Sequence, residues 1–195
     1  MPSDWIATAL ADSRPPFCAF VEATPALDYA TVRAHTDALA APLSAEDQTI
    51  QSMPDASPTK WHRAHTTWFF ETFVLTPHLA GYQPFRAEYA YLFNSYYEAV
   101  GPRHSRPMRG MITRPGIAEI AEYRAHVDEA MERLMRRDTP AEVLELIELG
   151  LHHEQQHQEL ILMDVHHALY QHPFPTGYGT IPWETAPPPE PRRVW

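Results

Sequence analysis

His153 and His157 stand four residues apart in the run His153-Glu154-Gln155-Gln156-His157. On an α-helix that spacing puts two imidazoles on one face, one turn apart, within reach of a shared metal ion. The same residues spell H-E-x-x-H, in which a zinc peptidase uses the glutamate, here Glu154, as general base. The two readings differ in the source of a third ligand. The extended peptidase pattern needs a third histidine where this chain has Met163. A downstream carboxylate ligand would have to be Glu184, inside a proline-rich tail. An upstream donor fits better. His65 lies in Lys60-Trp61-His62-Arg63-Ala64-His65-Thr66-Thr67-Trp68-Phe69-Phe70-Glu71. At helical spacing it shares a face with Trp61, Trp68 and Phe69, whereas His62 is less clearly inward. A lone histidine on such a face would be a core residue satisfied by hydrogen bonds. An i,i+4 pair with a third histidine on an aromatic face favours a metal.

The elements that must position these residues are helices. Three Ser/Thr-Pro pairs, Thr24-Pro25, Ser57-Pro58 and Thr139-Pro140, read as N-caps followed by Pro at the first helical position. They predict helices over Pro25–Leu39, Pro58–Leu75 and Pro140–Tyr170, with Pro77 ending the second. Ile120, Tyr123, Val127, Ala130 and Leu134 recur at helical spacing and predict a further helix over Ile117–Arg136. On the last and longest helix, Leu146, Gly150, His153, His157, Leu160 or Ile161, and Asp164 form one stripe. Glu154 and Gln155 fall to its side, and Gln156 lies adjacent to it. Residues 76–117 have no sustained periodicity and read as a packed crossover with a helical turn or two. The fold class is therefore all-α, a four-helix bundle with a long crossover between helices 2 and 3. It spans residues 1–172, and 173–195 form a proline-rich linker.

Bulk properties narrow the function. A formal charge of −10 with no basic stripe argues against nucleic acid as partner. No apolar run reaches membrane-spanning length, and the start of the chain lacks a signal-peptide pattern. One cysteine, Cys18, leaves no intrachain disulfide and suits a reducing cytoplasm. Twelve histidines is a high count, but His152, His166, His167 and His172 read as surface or linker residues.

The segment Ser57–Glu71 together with His153–Glu159 resembles the DinB-like N-terminal domain of the ergothioneine-biosynthesis sulfoxide synthases, non-haem iron oxygenases that join hercynine to a cysteine-containing thiol. The resemblance runs from the first helix into the linker. It implies that His65, His153 and His157 hold Fe(II), leaving positions for O2 and substrates, and that Gln156 contacts hercynine. Arg103 and Arg106, in Pro102-Arg103-His104-Ser105-Arg106, are similar to paired arginines that take the carboxylates of cysteine or γ-glutamylcysteine; a solvated basic turn is the plainer reading of each alone. Family members continue into a larger domain that supplies a catalytic tyrosine. The expectation here is a fragment or a short form in which no catalytic residue can be named. Other DinB-like bundles, which bind zinc or nickel as thiol transferases or stress proteins, are the alternative, with the zinc peptidase behind them.

Overall fold

The computed structural model describes residues 28–97, 101–174, 177 and 178. The expected start at Thr24-Pro25, Cys18 and most of the proline-rich tail lie outside them. Four long helical elements make the bundle: α1 (Tyr29–Ala40), α2 (Thr59–Phe69), α3 (Ile117–Met135) and α4 (Ala141–Gln171). There is no strand among the described residues. α1 packs along α4, and α2 packs against both α3 and α4.

Each helix follows from its residues. Asp28 caps α1, its carboxylate accepting from the Thr31 N–H at 2.9 Å and from the Thr31 hydroxyl at 2.6 Å. The buried face of α1 is Tyr29, Val32, Arg33, Thr36 and Ala40, at three- and four-residue spacing. α3 buries Ile120, Tyr123, Arg124, Val127, Ala130, Met131 and Leu134 on the same rule. α2 obeys no such rule: all its residues are buried, including Lys60, His62, Arg63 and His65. It is the central helix, so its polar side chains must find partners inside. Lys60 reaches the Pro115 carbonyl at 3.2 Å, and Arg63 pairs with Asp37 at 2.9 Å.

Two expected helix signals need correction. Ser57 and Thr139 do not cap α2 and α4; Pro58 and Pro140 occupy the N-cap positions in extended conformation, without a side-chain cap bond. The Ser57 N–H goes instead to Asp164 at 2.8 Å, and the Thr139 hydroxyl goes back to the Leu134 carbonyl at 3.0 Å. Nor does Pro77 terminate the second helix at Leu75. The chain widens into a π-helix over Phe70–Leu75, closed by the Thr76 N–H on the Glu71 carbonyl, and makes a last turn, Thr76–His78, that contains Pro77. Near the start of a turn the missing proline N–H is not required.

The crossover is built as expected, with one helical turn at Tyr89–Leu92 and a 3-10 segment at Arg106–Met111. Its second half is stapled to the 44–57 loop by Gln51. The Gln51 amide donates to the carbonyls of Ala56 and Arg106, both at 2.8 Å, and its oxygen accepts from the Gly110 N–H at 2.8 Å. A Cβ on Gly110 would lie 2.7 Å from the Gln51 Cβ, so the staple needs glycine there. It fixes the arginines of this segment relative to α2.

Gly150 sets the spacing between α2 and α4. A Cβ at this position would come 2.6 Å from Phe70 and 2.9 Å from Phe69. The space a side chain would need at Gly150 is thus filled by two aromatic rings. Gly150→Ala is expected to cost about 1–3 kcal/mol through overpacking, against the helix-propensity gain of alanine. It should also weaken metal binding by shifting His153 one turn along. Urea unfolding and a metal titration check both effects; unchanged values would contradict this close approach.

Candidate metal centre

His65, His153 and His157 converge where α2 faces the middle of α4. One nitrogen from each ring lies within 4.8 Å of the other two. The ring centroids are 5.0 Å (His65–His153), 4.7 Å (His65–His157) and 4.6 Å (His153–His157) apart. Aromatic packing holds them in place. His65 is stacked between Trp61 and Trp68, at 4.6 and 5.5 Å, and His153 rests on Phe69 at 4.9 Å.

The hydrogen-bond partners prepare the rings for a cation. His65 Nδ1 lies 2.6 Å from the Phe93 carbonyl, which can only accept. Nδ1 therefore carries the proton, and Nε2 keeps its lone pair for the site. His157 Nδ1 is 2.8 Å from His62 Nδ1, and His62 Nε2 is 3.0 Å from Asp164. His62, the less clearly inward histidine of the sequence, is thus fully engaged and 2% exposed. His153 Nδ1 is buried with no protein partner, an orphan that a bound cation would satisfy. These residues fit a metal ion.

Burial keeps all four imidazoles neutral. Desolvation is the main cause in each case, pushing His62 down and His65 and His157 well down, with mutual repulsion of the clustered rings adding to the last two. His153 is brought down to about 4, again chiefly by burial. Neutral imidazole is the metal-binding form. Because these pKa values are depressed, the unfolded chain binds more protons than the native one below about pH 6.5, so stability falls with pH in that range. The metal-free protein should lose about 2 kcal/mol between pH 7 and pH 5 from His153 alone. Urea midpoints at the two pH values measure this, and no decrease would argue against buried neutral histidines.

The peptidase base is absent from this site. Glu154 is 0% exposed and turns to the other side of α4, where it pairs with Arg33 at 2.9 Å and Arg124 at 3.2 Å and accepts from Thr36 at 2.7 Å. The carboxylate expected to lie at the side of the stripe is a core ion-pair residue. It is not placed to activate water at the histidines.

The three histidines border a cavity of about 420 Å³. Gln156 is exposed and lines it, as do Tyr96 and Tyr97. Arg106 lines it too, bonded to the Tyr96 hydroxyl and the Asp55 carbonyl. Arg103 is exposed, its guanidinium 5.6 Å from the Tyr96 ring centre. A third arginine, Arg109, was not singled out by sequence, although it continues the three-residue spacing of Arg103 and Arg106. It is buried over Trp61 at 3.4 Å and donates to Ser57 and Ser95 hydroxyls at 2.9 and 3.2 Å. Burial, with Arg106 nearby, brings it down to about 9. The hydrogen bonds of Arg106 and Arg109 go to neutral oxygens, and the Nε of each is buried and unpartnered. One wall is thus imidazole, the other positive.

Residues 28–161 match the model of the DinB superfamily. No curated protein matches the chain.

Proposed function

Since this chain belongs to the DinB superfamily, we propose that its histidine cluster is a metal centre and that the metal is Fe(II), held by His65, His153 and His157. We further propose that the site serves oxidative carbon–sulfur bond formation between hercynine and the thiol of cysteine or γ-glutamylcysteine, with O2 as oxidant. The observation that carries this reading is the pairing of three neutral imidazoles with a carboxylate-free arginine wall across one cavity. Fe(II) would supply the one-electron and O2 chemistry.

The protein's own residues do the rest. Arg106 and Arg109 bring positive charge to the cavity wall, which suits a substrate carboxylate. Arg103 adds a more exposed charge over the Tyr96 ring. Gln156, one residue before the second α4 ligand, can hydrogen-bond a substrate held against the histidines. The exposed ring of Tyr97 at the cavity wall suits a quaternary ammonium group such as that of hercynine. Stacking on Trp61 and Trp68 holds His65 in one orientation, so the ligands need little rearrangement.

The test is direct. The chain is loaded anaerobically with one equivalent of Fe(II) or Co(II), and hercynine and γ-glutamylcysteine are added in turn while the metal's spectrum is recorded. Both ligands should perturb it, and Arg106→Ala should weaken the thiol response selectively. A metal-loaded chain whose spectrum neither compound changes would count against these substrates, while leaving the metal centre standing.

A further inference from the structure

We propose that His62, anchored by Asp164, is a positioning residue that sets the tautomer of His157 and so decides whether His157 can bind metal. This rests on the reading of His65, His153 and His157 as the ligands. The argument is an inventory of protons. The Asp164 carboxylate accepts, so the ring proton of His62 sits on Nε2, 3.0 Å away. That leaves a lone pair on His62 Nδ1, which faces His157 Nδ1 at 2.8 Å. Two lone pairs cannot meet at that distance, so His157 Nδ1 donates. The single proton of neutral His157 is thereby used, and its Nε2 is left bare toward His65 and His153.

The opposite assignment disables the site. With a proton on His62 Nδ1, His157 Nδ1 would accept and its remaining proton would sit on Nε2, where the ligand lone pair is needed. The anchor is built to prevent this. Asp164 Oδ2 also accepts the Ser57 N–H at 2.8 Å, which ties the α2 entry to α4 and fixes the carboxylate beside His62. Both His62 and Asp164 are buried, at 2% and 7% exposure, so water does not compete for these bonds. The arrangement runs Asp164, His62, His157, and its two ends lie on one face of α4, seven residues or about two turns apart.

Histidine is not the only side chain that can do this. A glutamine at 62 offers an oxygen to accept from His157 and an N–H₂ to donate to Asp164, at a separation close to that of the two ring nitrogens. Phenylalanine offers the shape alone. His62→Phe should therefore lose 10–100-fold in Co(II) affinity, and His62→Gln should recover to within about tenfold of the wild type. Thermal unfolding without metal separates this from a packing effect, because a merely structural histidine would not be rescued by glutamine in affinity while both variants remain folded. Equal Co(II) affinity in wild type and His62→Phe would overturn the proposal.

A second measurement needs no variant. In the Zn(II)-loaded wild type, long-range proton–nitrogen correlation spectra of the histidine rings should show His157 protonated at Nδ1 and His62 at Nε2. A proton on His62 Nδ1, or metal bonded through His157 Nδ1, would overturn the assignment even if His62→Phe did not fold. Failure of the wild type to bind either metal would instead count against the three-histidine site itself.

Discussion

Replacing His65 with alanine is expected to remove metal binding, with a loss of affinity well beyond the 10–100-fold typical of an outer-shell partner. Two helix-4 histidines would remain, an i,i+4 pair of the kind that binds transition metals only weakly without a third donor. The His65 Nε2 is the sole nitrogen that α2 aims at them, since His62 spends both of its nitrogens on His157 and Asp164. Alanine would also empty the slot between Trp61 and Trp68, so some stability goes with the metal. His153→Ala is the cleaner companion, because His153 is only partly buried and its Nδ1 has no protein partner. Both variants should fail to hold one equivalent of Co(II) in equilibrium dialysis. Stoichiometric metal in either, at wild-type affinity, would refute the centre described above.

The second large effect concerns stability. Glu154→Gln should destabilise the protein by about 3–5 kcal/mol, the usual consequence of removing one partner from a buried ion pair. In a chain of this size that is a fall in Tm on the order of 10 °C. Burial alone would raise the Glu154 pKa, yet Arg33, Arg124 and the hydrogen bonds from Arg33 and Thr36 outweigh it and hold it below the usual value. Glutamine keeps the shape and the Thr36 bond but leaves two guanidinium groups with less charge opposite them. Arg33 still has Asp128 at 2.8 Å and Arg124 still has Asp37 at 3.0 Å, so the fold should survive. Metal affinity of the folded variant should stay within a few-fold of wild type. A peptidase would behave in the reverse way, losing activity at unchanged stability. Calorimetry and a Co(II) titration on the same sample discriminate the two.

Much of the site was legible because ligand geometry and helix geometry share a period. The pair His153 and His157 needs only the four-residue repeat, and His65 announces itself by sitting among Trp61, Trp68 and Phe69. The helix over 117–136 came from apolar spacing in the same way, and the other three from their proline start signals. What escaped depends on contacts between distant segments. Glu154 lies next to a ligand in sequence, and nothing local says that Arg33 and Arg124 converge behind it. His62 is hard to place from spacing alone because helical periodicity implies an outer face, and a helix buried all round has none. Arg109 was hidden for a similar reason: a buried arginine stacked on Trp61 with only hydroxyl partners is rare, and the loop that carries it is placed by Gln51, far upstream. Ser57-Pro58 and Thr139-Pro140 marked helix starts for the wrong reason, since their hydroxyls serve other partners; α1 starts at Tyr29 on an Asp28 cap.

The fully buried surround of α2 has a consequence for how substitutions should be tolerated along the chain. Over 59–69 every position carries either packing or an internal polar contact, so a saturation scan should return an unbroken block of intolerance in which His65 looks like its neighbours. Over 141–171 the same scan should return a three- and four-residue rhythm of tolerated and forbidden sites. His153 would interrupt that rhythm. It is a partly exposed position, where selection for folding alone should be lenient, and strictness there under metal-dependent selection would mark the centre without any measurement on α2.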